Sequence, residues 1–144
     1  MAAAKANPGL ELLKWMIGAL ACALTVAAQP SWGDSPIDWS KARRVDLVAV
    51  EYSFEPNHLS FHRGLPYRLH VENHGRELHE LTAPDFFKAV ELRNPEVLNQ
   101  DRTELVLRPG DKKDLYFVAL RPGHYDMRCA DHDWAGMTGD ITIE

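Results

Sequence analysis

Cysteine is scarce in this chain of 144 residues, which contains only Cys22 and Cys129. Clusters of lysine and arginine are missing as well, and the formal net charge is −5. The sequence therefore lacks the basic surface that binding to nucleic acid requires. It also lacks low-complexity segments, heptads and internal repeats, and its length suits a single domain. We expect one globular domain that does not bind nucleic acid.

No apolar run reaches the roughly 20 residues that a membrane-spanning helix typically needs. The longest covers residues 15–28 and follows two lysines. A basic start, a short apolar stretch and small residues after it are typical of a secretory signal peptide. Residues 1–33 are therefore predicted to be a signal peptide, with cleavage after Ala28 or after Gly33. An uncleaved membrane anchor is the alternative. We expect a periplasmic or otherwise exported protein without stable membrane insertion after cleavage.

Cleavage removes Cys22 and leaves Cys129 as the lone cysteine of an exported protein. A lipoprotein attached through Cys22 fits less well, because the apolar run continues well beyond that residue. A single cysteine cannot form an internal disulfide, and an unpaired thiol in an oxidising compartment is a liability unless it has a function. Metal ligation is the simplest function for it. The alternative is a buried cysteine that acts only as a small hydrophobic residue.

Short alternating segments dominate the rest of the chain after a linker of about residues 34–41. Tyr67, Leu69 and Val71 alternate with polar residues, which is typical of a half-buried strand, and turn formers such as Pro122-Gly123 separate such segments. About seven or eight strands are predicted over residues 42–144, as an all-β, antiparallel Greek-key sandwich or barrel. Residues 83–102 interrupt this pattern with a helical or irregular segment whose role stays open.

Three metal-binding side chains are concentrated near the C-terminus, in the pattern C-x2-H-x4-M formed by Cys129, His132 and Met137. A cysteine at the end of a strand and a histidine three residues later can turn toward one point. Gly136 eases the return of Met137 from the far side of the loop. A thiolate, imidazoles and a weak thioether are the ligands of a blue-copper site. This set lacks one imidazole, and His79 is the best candidate because it follows a predicted strand and turn.

These residues resemble the cupredoxins, in particular the plastocyanin and azurin group of small blue copper proteins. The resemblance rests on the C-x2-H-x4-M loop, on the N-x-G-x3-H-E segment from Asn73 to Glu80, and on the turn before Tyr125. It implies a Greek-key sandwich over about residues 45–144. It also implies one copper ion per chain, held by His79, Cys129 and His132 near one plane with Met137 as a distant axial ligand. The exposed edge of His132 would then be the port for electrons.

The remaining histidines have simpler interpretations. His70 and His124 fall on the polar faces of their strands and are predicted to be exposed. His74 is a weak rival of His79 as a ligand. His58 and His62 are candidates for a second, weak metal site.

The residues around the metal loop are interpreted mainly as packing. Met127 is predicted to lie in the core. Phe86, Phe87 and Trp134 are predicted to pack, with a docking patch or a cover over the metal loop as the alternative for the phenylalanine pair.

The predicted activity is the transfer of single electrons between redox proteins such as a cytochrome or an oxidoreductase. We predict no enzymatic activity, since no nucleophile–base pair or phosphate-binding loop is visible. A monomer is expected. Two alternatives remain. In one, the chain is a copper carrier or copper-tolerance protein with the same ligands. In the other, the metal only stabilises the fold.

Overall fold

The computed structural model of the protein describes residues 36–144, so the predicted signal peptide lies outside the described residues. The described part contains ten strands and one short α-helix, α1 (Pro84–Lys88). The strands are β1 (Arg43–Val50), β2 (Ser53–Glu55), β3 (His58–Phe61), β4 (Pro66–Asn73), β5 (His79–Thr82), β6 (Val90–Leu92), β7 (Glu104–Leu107), β8 (Lys112–Ala119), β9 (Gly123–Arg128) and β10 (Thr138–Ile143). Single 3-10 turns occur at Trp39–Lys41, Pro95–Val97 and Asp133–Ala135.

The strands form two five-stranded sheets, in the orders β2-β1-β4-β8-β6 and β3-β10-β9-β5-β7. Neighbours that are distant in sequence, such as β3 and β10, require chain crossings between the sheets. The predicted all-β sandwich is therefore confirmed. The sheets are mixed rather than purely antiparallel, because β1 runs parallel to β4 and β3 runs parallel to β10. The strand count exceeds the predicted seven or eight because β2 and β6, three residues each, were too short to give a periodic signal.

One hydrophobic core lies between the sheets and explains the alternation seen in the sequence. Leu69 and Val71 of β4 are fully buried, as are Leu115 and Phe117 of β8. Phe61 of β3 meets Phe117 edge to face, with ring centroids 5.0 Å apart. Aromatic pairs of this kind add about 0.5–1.5 kcal/mol beyond the burial of their apolar area. This core gives the metal-binding loops a rigid support.

The segment that interrupts the strand pattern packs onto this core. Pro84 begins α1 at a position where its missing N–H costs nothing, and Phe86 and Phe87 point inward with 0% and 4% exposure. The Phe86 ring stacks on that of Phe61 at 5.7 Å between centroids. The packing prediction for the phenylalanine pair is therefore confirmed. Their alternative role as a docking patch is wrong, because both side chains are buried.

His70 departs from its prediction. The alternation of β4 placed it on a solvent-exposed face, yet it is buried, with 9% exposure. Its Nδ1 lies 2.7 Å from Asp114 Oδ1 on β8, and its Nε2 lies 2.8 Å from Glu72 Oε1. The polar face of β4 is thus covered by charged neighbours from its own strand and the next one. Strand periodicity alone does not reveal such cover.

The sheet register brings the chemically active segments to one end of the sandwich. Thr82 of β5 pairs with Arg128 of β9 in antiparallel register. Continuing this register carries Cys129 back along β5 toward His79, the first residue of that strand. Between residues 36 and 144, no helix combines the length and apolar character needed to cross a membrane.

Candidate metal centre

His79, Cys129 and His132 converge at this end of the sandwich. One ligand atom from each residue lies within 4.8 Å of the other two. The Sγ atom of Cys129 is 3.3 Å from Nδ1 of His132 and 3.9 Å from Nδ1 of His79. The exposure of the three residues is 0%, 9% and 0% for Cys129, His132 and His79. Both imidazoles therefore direct the same type of nitrogen toward one buried sulfur.

The loop after β9 is folded tightly on itself, which fixes Cys129 and His132. The backbone N–H of His132 donates to the carbonyl of Cys129 at 3.2 Å, and the N–H of Met137 donates to the carbonyl of His132 at 3.3 Å. The N–H of Cys129 donates to the carbonyl of Met137 at 3.0 Å, which closes the loop. Gly136 lies between them with a φ of 86°, a left-handed conformation that favours glycine. The glycine noted in the sequence is thus required by the turn.

Met137 is fully buried and lies in the same loop as Cys129 and His132. Its two backbone hydrogen bonds, one to Cys129 and one to His132, hold it at the base of the same loop. Its thioether is a soft donor, suited to a copper ion that alternates between two oxidation states. The structure thus brings Met137 to the loop that carries the other two C-terminal ligands.

His79 is positioned by the turn between β4 and β5. Asn73 holds this turn from inside: its Nδ2 donates to the carbonyl of Glu77 at 2.8 Å, and its Oδ1 accepts from the N–H of Gly75 at 2.8 Å. A Cβ atom at Gly75 would lie only 2.9 Å from Nε2 of His79 and would overlap the Glu51 carboxylate. The spacing of Asn73, Gly75 and His79 therefore has a structural cause: Asn73 closes the turn and Gly75 leaves room for the imidazole.

The electrostatics of the centre favour a bound cation. Burial raises the pKa of the Cys129 thiol, although the backbone N–H of Glu80 points at its sulfur from 3.4 Å. Burial also lowers the pKa of His79, and the neighbouring His132 lowers it further. His79 is therefore held in the neutral form that binds a metal. A thiolate at this depth needs a positive charge beside it, which a metal ion supplies.

The three atoms fit the dimensions of a metal centre. If a sulfur and a nitrogen bind one metal with bonds of about 2.3 and 2.0 Å at an angle of about 120°, the two atoms lie about 3.7 Å apart. The distances from Cys129 Sγ to the imidazole Nδ1 atoms of His79 and His132, 3.9 and 3.3 Å, bracket this value. A Cys, two His and a Met are the donor set that is typical of type 1 copper, and the residues present fit that ion.

The outer edge of His132 was predicted to face solvent, but the structure shows that it is covered. Its Nε2 lies 2.9 Å from Oε2 of Glu77, and the ring of Tyr52 covers it at 4.9 Å between centroids. Trp134 also departs from its prediction as a packing residue, since it is 77% exposed. Its ring extends over the surface next to Tyr52, with centroids 6.0 Å apart. The Tyr52 ring and the Glu77 carboxylate therefore cover most of His132 and leave 9% of it exposed.

The other candidate histidines remain outside the centre. His74 is exposed, and its Nε2 lies 2.6 Å from Glu72 Oε2. His124 is exposed as predicted.

The second metal site considered for two histidines of the β3 region does not assemble. His58 contacts Asp140 at 2.5 Å, while His62 lies 3.7 Å from Glu144. Within the described residues, only the group of His79, Cys129 and His132 meets the geometry of a metal site. Met127 is buried in the core, as predicted.

Sequence reasoning missed Glu51, Tyr52 and Glu77, which surround the two imidazoles. The carboxylate Oε1 of Glu51 accepts the backbone N–H of Glu77 at 2.9 Å and also that of Arg76. These two hydrogen bonds lower the pKa of Glu51. The parallel pairing of β1 with β4 brings the three residues there, because it places the turns after both strands at the same edge. The sequence pattern had indicated antiparallel pairing, so these turns were not connected.

Comparison with solved structures supports the same fold. Reduced auracyanin from Roseiflexus castenholzii matches with a TM-score of 0.54 and 15% identity, covering 72% of this chain and 98% of the auracyanin chain. Auracyanin A, a blue copper protein from Chloroflexus aurantiacus, matches with a TM-score of 0.52 and 12% identity, covering 70% and 98%. A multicopper oxidase matches with a TM-score of 0.53 and 20% identity, covering 72% of this chain but only 42% of that one. At these identities the similarity shows the fold alone.

No curated protein matches the sequence. The family described as the cupredoxin-like domain, however, matches residues 16–143, which is most of the chain. This match agrees with the two-sheet sandwich and with the buried donor set of His79, Cys129 and His132, completed by Met137. The chain therefore belongs to the cupredoxin-like domain family and carries a type 1 copper site.

Proposed function

We propose that this protein is a one-electron carrier that exchanges electrons with other redox proteins. The observation that carries the proposal is the buried, preassembled group of two imidazole nitrogens around the Cys129 sulfur. Copper bound there supplies a reversible change between its +1 and +2 states. The protein's own contribution is to hold the ligands in one arrangement for both states, so that little rearrangement accompanies electron transfer.

Each of the four residues has a separate role in this proposal. Cys129 provides the thiolate, and His79 and His132 provide one neutral nitrogen each through their Nδ1 atoms. Met137 would provide a weak thioether donor from the base of the loop. The backbone N–H of Glu80, 3.4 Å from the Cys129 sulfur, limits the charge on the thiolate and so adjusts the potential.

Burial of the ligands supports electron transfer rather than catalysis on a bound molecule. His79, Cys129 and Met137 have no exposed surface, and His132 has 9%. A substrate cannot contact these side chains directly, whereas an electron can pass through a thin layer of protein. We therefore infer a carrier without enzymatic activity of its own.

The surface over His132 suggests what kind of partner docks there. Tyr52 and Trp134 are exposed aromatic rings on this surface, with 37% and 77% exposure. Glu77, Asp131 and Asp133 supply negative charge around them. A redox partner with a positively charged rim and an apolar centre is therefore expected to bind here, and its association is expected to slow as ionic strength rises.

Voltammetry and rapid mixing test the proposal together. The copper-loaded protein is expected to give a reversible one-electron wave and to exchange electrons rapidly with a soluble cytochrome, while its copper stays bound. Rapid release of Cu(I) to a competing thiol or imidazole chelator, with slow electron exchange, would instead favour copper carriage. Irreversible voltammetry, no measurable electron exchange and no release of Cu(I) would together contradict both uses of the site.

We further infer that residues 1–33 direct export and are removed. The support is the basic start and the apolar run over residues 15–28, together with a lone Cys129 protected by burial. Export of the full chain followed by N-terminal sequencing tests this directly. A new N-terminus at residue 29 or 34 is expected. Retention of the intact N-terminus in the membrane fraction would favour the anchor instead.

A further inference from the structure

The outward-facing nitrogen of His132 has a specific acceptor. Its Nε2 lies 2.9 Å from Oε2 of Glu77, while Nδ1 on the opposite side of the ring faces the Cys129 sulfur. A metal bound through Nδ1 leaves the ring proton on Nε2, where a carboxylate can only accept it. The two contacts are thus mutually consistent, and both belong to one tautomer of the ring.

Glu77 is itself held in place by two neighbours. The hydroxyl of Tyr52 donates to its other oxygen, Oε1, at 3.2 Å. The backbone N–H of Glu77 donates to the Glu51 carboxylate at 2.9 Å. The turn that follows β1 is therefore hydrogen-bonded to the turn that precedes His79. These hydrogen bonds fix the position of the Glu77 carboxylate next to His132.

The second imidazole has a similar but weaker neighbour. Oε1 of Glu51 lies 3.5 Å from Nε2 of His79, a loose contact, and this nitrogen has no other hydrogen-bond partner among the described residues. Glu51 already accepts two backbone N–H groups, which occupy the same oxygen. The stronger of the two carboxylate–imidazole contacts is therefore the one between Glu77 and His132.

We propose that Glu77 is a positioning residue for the copper site: its carboxylate accepts the Nε2 proton of His132, fixes the ring with Nδ1 toward Cys129, and stabilises the Cu(II) form over Cu(I). The proposal rests on the proposed function, because it needs copper at Nδ1. A carboxylate that accepts the proton of a ligand imidazole makes the imidazole a stronger donor, and such outer partners typically change metal affinity by about 10–100-fold. The added negative charge favours the more positive ion, so the reduction potential falls.

Two variants of Glu77 separate charge from hydrogen bonding. Glu77→Gln keeps the shape and an acceptor oxygen but removes the charge, and Glu77→Ala removes both. In the copper-loaded full chain, Glu77→Gln is expected to weaken Cu(II) binding relative to Cu(I) about tenfold, which raises a one-electron potential by about 59 mV. Glu77→Ala is expected to raise it further.

Glu91→Gln is the matched control, because it removes the same charge at an exposed position of β6. Glu91 pairs with Val118, and β8 carries Val118 toward the end of the sandwich opposite the copper loops. The potential of this variant is expected to equal that of the unmodified protein. Equal shifts in Glu91→Gln and Glu77→Gln would show a general charge effect and overturn the proposal.

Nuclear magnetic resonance of the diamagnetic Cu(I) protein gives a readout that does not depend on electron transfer. The Nε2 proton of His132 is expected to be visible, shifted downfield and slow to exchange in the unmodified protein. It should exchange rapidly in Glu77→Ala and remain protected in Glu91→Gln. A proton that exchanges equally fast in all three proteins would refute the hydrogen bond.

The outcomes also distinguish this inference from the proposed function. A coloured, reversibly reducible protein whose potential is insensitive to Glu77→Gln would overturn the role of Glu77 and leave the carrier function intact. An unmodified protein that binds copper without colour and without reversible reduction would overturn the carrier function, and the role of Glu77 with it.

Discussion

His79 and Cys129 are far apart in the sequence, yet Nδ1 of the histidine lies 3.9 Å from Sγ of the cysteine. The distance is set by the register of β5 and β9, which pairs Thr82 with Arg128 and carries Cys129 back toward the start of β5. The sheet therefore forms half of the ligand set before any metal binds. Because both residues are fully buried, this half is held by the core.

Replacement of the Met137 thioether is expected to change the potential more than the stability. Met137→Leu preserves side-chain volume in a fully buried position, so the free energy of unfolding should fall by less than about 1.5 kcal/mol. Copper should remain bound, and the potential should rise because the Cu(II) form loses a donor. Met127→Leu, in the core but outside the ligand set, is the control. A potential unchanged in Met137→Leu would show that its thioether does not reach the copper.

Addition of a single methyl group at Gly75 is expected to damage the site. In Gly75→Ala the Cβ atom would lie 2.9 Å from Nε2 of His79 and would overlap the Glu51 carboxylate. We expect a loss of about 1–3 kcal/mol in unfolding free energy, together with weaker copper binding. Both quantities can be measured by denaturant titration with and without copper.

Gly64→Ala is the control for this substitution. Gly64 has a φ of 79°, and the methyl group of an alanine there would meet no heavy atom within 4 Å, so strain but no collision is expected. This variant should lose stability while its copper affinity stays unchanged. Equal copper affinities in both variants would contradict the role assigned to Gly75.

Truncation of Phe86 tests the contribution of α1. The ring is fully buried and stacks on Phe61, so Phe86→Ala should lower the free energy of unfolding by about 3–5 kcal/mol. The visible spectrum of the folded copper protein should not change, since the rings that Phe86 packs against belong to Phe61, Phe117 and Tyr125, which are not ligands. Asp85→Ala, exposed on the same helix, should leave both unchanged. A folded Phe86→Ala protein of normal stability would contradict the packing role of this ring.

Acid sensitivity is expected to depend on Glu72. Hydrogen bonds from His74, His70 and Lys112 lower the pKa of this carboxyl from 4.5 to about 2 in the folded protein. Because the folded pKa is depressed, the stabilisation is fully present above pH 4.5 and is lost as the pH falls toward 2. Glu72→Gln should therefore be less stable than the unmodified protein at neutral pH, with a flatter loss of stability between pH 4.5 and 2.

Metal-free protein is the suitable material for this measurement, since copper release would otherwise add its own pH dependence. Glu91→Gln serves again as the control and should keep the steep acid dependence. If the free energy of unfolding of the unmodified protein does not change between pH 4.5 and 2, the stabilising role assigned to the Glu72 carboxylate is wrong.

Sequence reasoning identified the donor set because its chemistry is local. Cys129, His132 and Met137 lie within one loop, so their spacing already predicts a shared metal. His79 could be added because it follows a predicted strand and a turn. The all-β class was predictable for a similar reason, since the alternation in β4 reflects burial on one face of a strand.

The features that could not be predicted depend on contacts between distant segments. The burial of His70 comes from Asp114 on a neighbouring strand, and the cover over His132 comes from Glu77 and Tyr52 in two separate turns. The contacts around His132 require the parallel pairing of β1 with β4, and no local sequence pattern predicts this pairing. Trp134 shows the converse case: its large apolar ring suggested packing, yet the turn at Asp133–Ala135 directs it outward.

One copper ion is bound by the Cys129 sulfur and the imidazoles of His79 and His132. The most direct test is the visible absorption spectrum of the purified protein after addition of Cu(II), compared with that of Cys129→Ser. We predict an intense thiolate-to-copper charge-transfer band in the unmodified protein and its complete loss in the variant. The absence of this band, or a spectrum that Cys129→Ser leaves unchanged, would contradict the account.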